Sequence, residues 1–229
     1  MVRLSALALG ATLALALALP AVAATANDRI RGTIASVDGD ALILDTTQGK
    51  MKISLTNDTK YATVVKSDLS KIEKGSFIGT ATKGNGNFLV ALEVVIFPPS
   101  MRGTGEGHYA WDSLPDTTAA GGRSVSTSMT NGTVAATSGA ATPMVDTAMT
   151  NGNVAATSDA GGAKRLTVTY NGGQQSILVP PTAPIVAFQP SDRAAVIPGA
   201  HVFVRAAETG GTATAQFVAI GQNGLVPPM

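Results

Sequence analysis

Residues 29–56 read RIRGTIASVDGDALILDTTQGKMKISLT, and this stretch carries the pattern from which the fold class is predicted. Apolar and polar residues alternate over 29–37 and again over 51–56, and the mostly apolar run 41–45 lies between them. Gly, Asp and Thr occupy the segments that separate the three runs. Short runs of this kind between turn-forming residues are typical of antiparallel strands joined by hairpins. The stretch therefore predicts a β-meander.

The pattern continues to residue 97. Ser67–Ile72 is predicted to form a single helical turn, with Ser67 or Asp68 as its N-cap. Two further strands are predicted over 76–82 and 88–97, on either side of a Gly and Asn turn. Five strands with a helical turn between the third and fourth are typical of a small OB-like barrel. We therefore expect a first β-barrel domain over residues 28–97.

Residues 149–224 have the same layout as the first domain. Gly152–Ala156 matches Gly32–Ser36 as a first strand, and Pro198–Val204 matches the segment that begins at Lys74. The chain is thus expected to be all-β, with two small OB-like barrels in tandem. The second barrel would span residues 149–224, and 225–229 would be a tail.

The segment between the two predicted barrels, residues 98–148, is rich in Gly, Ser and Thr and is expected to be a connector. It contains residues 129–138, MTNGTVAATS, which recur at 149–158 with one position of ten changed. Because the second copy continues into the predicted strand 166–170, we expect that copy to be the barrel strand.

Several motifs resemble a known family. Gly32–Asp40, Asn57-Asp58-Thr59 and Ile72–Phe77 resemble the exported bacterial β-domains classed as domain of unknown function 5666. Residues 101–112, MRGTGEGHYAWD, and the ending 221–229 resemble hypothetical exported proteins that pair two such domains. The resemblance implies an OB-like or similar barrel and export, and it implies no established activity.

The N-terminal residues 1–24, MVRLSALALGATLALALALPAVAA, have the layout of a secretory signal peptide. Arg3 supplies the positive charge, Leu4–Leu19 is uncharged and apolar, and Ala21-Val22-Ala23 after Pro20 fits a cleavage site. The apolar run is shorter than the roughly 20 residues that a spanning helix needs. We expect export to a bacterial periplasm or beyond the cell, without a membrane span.

Composition excludes several classes of protein. The chain has no Cys, which excludes disulfide scaffolds, Cys-ligated metals and Cys nucleophiles. Removal of Arg3 with the signal peptide lowers the basic residues from 16 to 15, against 15 acidic residues. A neutral chain lacks the basic footprint of a nucleic-acid-binding protein. An envelope glycan or a protein remains compatible as a partner, and the oligomeric state stays open.

The connector motif 103–112, GTGEGHYAWD, is the densest cluster of chemically useful side chains. Glu106, His108 and Asp112 are a ligand set suited to a divalent metal. Tyr109 and Trp111, the chain's single Trp, could instead stack on a sugar or an aromatic ligand. In a third interpretation the motif is purely structural, and Trp111 fills the mouth or seam of a barrel.

No enzyme signature accompanies this motif. The chain has no Gly-x-Ser-x-Gly elbow, no complete phosphate-binding loop and no helical zinc motif. His201 begins an apolar run and is expected to be a strand residue rather than a ligand. The sequence favours a non-enzymatic binding or assembly module of the cell envelope with no cofactor. The alternative is a metal-handling protein or an envelope enzyme that uses Glu106, His108 and Asp112.

Overall fold

The computed structural model of the chain describes residues 27–84, 89–112, 114–116, 118, 144–145 and 148–228. The predicted signal peptide and the first copy of the repeated decapeptide lie outside the described residues. Of the described helices, none is long and apolar enough to cross a membrane. The described residues form strands joined by turns and four short 3-10 helices, over Leu69–Lys71, Pro99–Met101, Arg193–Ala195 and Gln222–Gly224.

The strands fall into three groups along the chain. The first half contains β1 (Asn27–Asp38), β2 (Ala41–Thr46), β3 (Gly49–Ser54), β4 (Lys60–Lys66), β5 (Phe77–Lys83) and β6 (Leu89–Phe97). The connector contains β7 (Gly107–Ala110), β8 (Leu114–Pro115) and β9 (Met144–Val145). The second half contains β10 (Ala148–Ala160), β11 (Ala163–Tyr170), β12 (Gly173–Val179), β13 (Ile185–Ser191), β14 (His201–Thr209) and β15 (Thr212–Gly221).

The local predictions for the first half agree with these strands, with one omission. The predicted helical turn is a 3-10 helix whose cap is Asp68, since its carboxylate accepts a hydrogen bond from the Ser70 amide at 2.8 Å. Sequence reasoning missed β4, although Tyr61 and the run Thr63-Val64-Val65 favour a strand. The second copy of the decapeptide begins within β10, as expected.

The two halves exchange strands. A first ring consists of β1, β2 and β3 from the first half with β14 and β15 from the second half, and it closes where Ala213 and Thr214 pair with Ile53 and Ser54. A second ring consists of β10, β11 and β12 with β5 and β6, and it closes through the pairing of β12 with β6. The structure confirms the all-β class and a five-stranded barrel. The expected tandem arrangement, in which each half would close its own barrel, is not what the hydrogen bonds show.

Two strands that the sequence patterns did not predict, β4 and β13, carry out this exchange. They pair antiparallel with each other, from Tyr61 opposite Ser191 to Lys66 opposite Val186. On its other edge β4 runs parallel to β15, and β13 runs parallel to β6. Each of the two strands therefore leads the chain out of one ring and into the other, because each follows three strands of one ring and precedes two strands of the other.

The two rings repeat the same local details. Each first strand is bulged, between Ile34 and Ser36 in β1 and between Val154 and Ala156 in β10. At the bulge, Ile34 exchanges two backbone hydrogen bonds with residues 199 and 200, and Val154 exchanges two with residues 75 and 76. In each ring the hydrogen-bonded partners come from opposite halves of the chain. Equivalent backbone hydrogen bonds therefore link the two halves in both rings.

Three apolar cores follow from this arrangement. The first ring encloses residues such as Ile34, Leu42 and Val204, and the second ring encloses residues such as Val154 and Leu166. A third, central core lies where the rings meet and contains the described phenylalanines, four of them buried (Phe77, Phe97, Phe188, Phe203) and one partly buried (Phe217). Burial of aromatic side chains dominates core energetics, so the central core is a main source of cohesion between the rings.

Candidate ligand-binding cleft

The connector motif reaches the central core through β7. This strand pairs antiparallel with β10, so that His108 lies opposite Thr150 and Tyr109 lies opposite Met149. Gly103, Gly105 and Gly107 all have positive φ, at 84°, 59° and 147°, a region that residues with a Cβ rarely adopt. Successive side chains of a strand point to opposite faces, so His108 and Tyr109 have different neighbours.

Glu106 and His108 contact the second ring. A carboxylate oxygen of Glu106 accepts a hydrogen bond from the backbone N–H of Asn171 at 3.0 Å. Nδ1 of His108 lies 2.8 Å from the Thr150 hydroxyl, and its ring stacks on Tyr170 with centroids 6.2 Å apart. Both side chains thus fasten the motif to β10 and to the hairpin between β11 and β12.

Asp112 contacts the first ring instead. Its two carboxylate oxygens accept hydrogen bonds from Arg29 and Arg31, each at 2.7 Å. Burial raises the pKa of the Asp112 carboxyl, but the hydrogen bonds and charges of Arg31 and Arg29 outweigh burial and hold the pKa below its usual range. Asp112 is therefore a structural anion that fixes the end of the motif to β1.

The structure corrects the expected metal-ligand set. Glu106, His108 and Asp112 are bound to three different groups of neighbours and do not converge on one point. Within the part of the chain that the structure describes, no three His, Asp or Glu residues are close enough together to hold a metal ion. His201 likewise takes a structural position, at the start of β14 with Nδ1 2.9 Å from the Thr33 hydroxyl.

Tyr109 and Trp111 lie on the other face and line a cleft of about 220 Å³ at the junction of the rings. Its walls are mainly aromatic: Phe97, Tyr109, Trp111, Phe188, Phe203 and Phe217. Met101 and Met149 add apolar surface, and the polar lining comes from Arg29, Arg205, Asn151, Thr104 and Gly105. Concave, mostly apolar surfaces with a few converging polar groups are the usual form of small-molecule sites.

Trp111 is held in the wall of this cleft from two directions. The guanidinium carbon of Arg29 lies 3.9 Å from the centroid of its ring, a cation–π contact. Its ring also lies 6.0 Å from that of Tyr109 and 6.5 Å from that of Phe203. Trp111 therefore packs into the junction of the rings and also lines the cleft, so it is compatible with both a structural and a ligand-binding role.

A buried amide supports the floor of the cleft. Asn151 is 7% exposed, and its Nδ2 donates to the Gly105 carbonyl at 2.9 Å and to the Tyr109 hydroxyl at 3.1 Å. Among the described residues, no hydrogen-bond partner reaches Oδ1 of Asn151 or Nε1 of Trp111. Gly79 faces Asn151, and a Cβ at that position would overlap the amide oxygen. The amide thus fixes Tyr109 and the Gly105 turn relative to β5 and β10.

The rim of the cleft carries positive charge. Arg29 and Arg205 are directly opposite each other in the pairing of β1 with β14. Burial raises the pKa of the Tyr109 hydroxyl, and the charges of Arg29 and Arg205 offset part of that increase. The cleft therefore combines an aromatic wall with two cations on one side.

Sequence reasoning identified Tyr109 and Trp111 but missed the groups opposite them. Arg29 and Arg31 carried a usable signal, because residues two apart on a strand share a face. Asn151 lies in the repeated decapeptide, where only the repetition drew attention to it. No sequence pattern indicated Phe203 or Arg205, because they are about 90 residues from Trp111 in the chain and only the fold brings them together.

Comparison with known proteins adds no relative. No protein-family model matches the chain, and neither a curated protein nor a solved structure does so.

Proposed function

We propose that the chain is an exported, non-enzymatic binding module of the bacterial envelope, built from two exchanged copies of one OB-like β-unit. In this proposal the cleft between the rings takes a small, largely aromatic molecule. The signal-peptide pattern of residues 1–24 and the resemblance to domain of unknown function 5666 support export.

The observation that carries the binding function is the aromatic wall. Six aromatic side chains line about 220 Å³ that remain open at the junction of the rings. Aromatic rings pack edge-to-face or offset against one another, and the wall offers both ring faces and edges to an aromatic guest. The side chains that could perform acid–base chemistry, Glu106 and His108, do not line this cleft.

Trp111 makes the proposal testable without labelling, because it is the chain's single Trp and lies in the wall. We expect the neutral probe 3-phenylpropan-1-ol to change the Trp111 fluorescence saturably, with excitation at the long-wavelength edge of the absorption band to favour Trp over Tyr. Thr104→Phe should fill the mouth of the cleft and weaken binding several-fold. Thr157→Phe, at an exposed position near the far end of β10, is the matched control and should bind normally.

An emission maximum that the probe leaves unchanged would contradict the proposal, provided that calorimetry also detects no binding. Equal weakening by the Thr104 and Thr157 variants would show that binding occurs outside the cleft. Export is tested separately by the mass of the protein recovered from the periplasm or the medium. We expect it to lack the first 24 or so residues, as a cleaved signal peptide requires.

A further inference from the structure

The two arginines at the rim, Arg29 and Arg205, place two positive charges side by side on neighbouring strands. Arg29 and Arg205 are direct cross-strand partners, and like charges in that relationship repel each other. Both line the same cleft, so their charges are directed to the same space rather than away from each other.

Only one of these two charges is compensated. Arg29 donates to Asp112, and Asp112 also serves Arg31. Arg205 is exposed, and among the residues that the structure describes no carboxylate forms an ion pair with it. The arginine side of the rim therefore has an excess of positive charge beside an aromatic wall.

We propose that the ligand of the cleft is a small aromatic carboxylate, whose ring packs against Trp111, Phe203 and Phe217 while its carboxylate pairs with Arg205. This inference rests on the proposed binding function and deepens it by naming the chemical class of the ligand. Arg29 contributes its charge from the opposite strand and remains bound to Asp112.

Two properties of the cleft favour a carboxylate over a phosphate or a neutral sugar. The guanidinium group of Arg205 does not itself discriminate, because it pairs with a carboxylate or a phosphate through two parallel hydrogen bonds. A dianionic phosphate would carry a second negative charge close to Asp112, which already binds Arg29. A neutral sugar would need many hydrogen-bonding groups, and the lining offers mainly rings and methionine side chains.

A matched pair of probes isolates the carboxylate: 3-phenylpropanoate and 3-phenylpropan-1-ol. Both are titrated into the signal-free chain and followed by Trp111 fluorescence and by calorimetry. We expect the carboxylate to bind roughly 10-fold or more tightly than the alcohol, as a charge-assisted hydrogen bond provides. Its affinity should fall with added salt, whereas the affinity of the alcohol should not.

Variants then assign the effect to one side chain. Arg205→Gln should remove the preference, so that the variant binds the carboxylate and the alcohol with similar affinity. Arg165→Gln, which removes an exposed arginine from β11 in the other ring, is the control and should change neither affinity. Phenylphosphate is included as the dianionic comparison and should bind less tightly than the carboxylate.

The outcomes separate this inference from the proposed function. Equal affinities for acid and alcohol, unaffected by Arg205→Gln, would overturn the carboxylate assignment and leave the binding cleft in place. Tighter binding of phenylphosphate would overturn the choice of carboxylate. Failure of all three probes to bind would count against the binding cleft itself.

Discussion

The guanidinium group of Arg29 stacks on Trp111 at 3.9 Å and also donates to Asp112, the next residue of the connector. This contact joins β1 of the first ring to the motif that β7 attaches to the second ring. A cation on the face of a tryptophan ring contributes about 0.5–1 kcal/mol at an exposed site and more when it is desolvated. The contact therefore stabilises the cleft wall and couples it to the exchange of strands.

Arg29→Met tests this contact, since it keeps an apolar side chain of similar length and removes the charge. We expect the free energy of unfolding to fall by about 1 kcal/mol, because both the cation–π contact and one partner of Asp112 are lost. The Trp111 emission should also shift. Arg193→Met is the control, because Arg193 pairs with exposed Asp40 and makes no cation–π contact among the described residues. Equal destabilisation by both variants would contradict a special role for Arg29.

Gly32 and Gly152 test the equivalence of the rings. A Cβ at Gly32 would overlap the Asp45 carbonyl oxygen, and a Cβ at Gly152 would overlap that of Thr169. We expect alanine at either position to lower the free energy of unfolding by about 1–3 kcal/mol, the usual cost of overpacking. Gly173→Ala should cost less, because its Cβ would meet only the end of the Tyr170 side chain. Chemical denaturation of the three variants provides the comparison, and a tolerated Gly152→Ala alone would show that the rings are not equivalent.

Exchange of strands makes the two halves dependent on each other. When residues 27–118 and 144–228 are produced as separate chains in one cell, we expect a stable one-to-one complex, because every ring needs strands from both halves. Neither half alone should give a folded monomer with the native near-ultraviolet circular dichroism. Size-exclusion chromatography with mass measurement detects the complex. A folded monomeric half would show that each half can close its own barrel.

The lowered pKa of Asp112 predicts a loss of stability in acid. Because its folded pKa lies below the unfolded value of about 3.9, its contribution is present above that pH and disappears as the pH falls through the folded pKa. Asp112→Asn should therefore lower stability at neutral pH and reduce the slope of stability against pH below about 4. Part of the slope of stability against pH should remain, because Asp116 also has a lowered pKa. Burial raises the pKa of Asp116, but its hydrogen bonds to Lys83 and Thr118 and the charge of Lys83 lower it overall. An unchanged slope in the Asn variant would mean that the ion pairs with Arg29 and Arg31 do not form in solution.

Much of the local structure could be predicted because it depends on neighbouring residues. The alternation over 29–37, the Gly and Asp turns and the Asp68 cap each specify a conformation from a few residues. The strand β4 was missed because it directly follows the Asn57-Asp58-Thr59 turn, with no separate signal for where the turn ends. The metal-ligand hypothesis failed for a tertiary reason: the motif runs from the second ring to the first, so His108 bonds to Thr150 of β10 whereas Asp112, beyond the end of β7, pairs with arginines of β1.

Side-chain periodicity and backbone preferences specify most of the strands and turns and the two-residue spacing of Tyr109 and Trp111 in the connector, although not the strands β4, β7 and β13. Which strands close each ring depends instead on long-range pairing between the two halves. The two halves present similar apolar faces, so a strand such as β5 can pair with β10 as well as it could with its own half, and local preference does not distinguish the two arrangements. The antiparallel pairing of β4 with β13 joins the two rings, and the exchange brings Arg29 of β1 and Arg205 of β14 to the rim of one aromatic cleft.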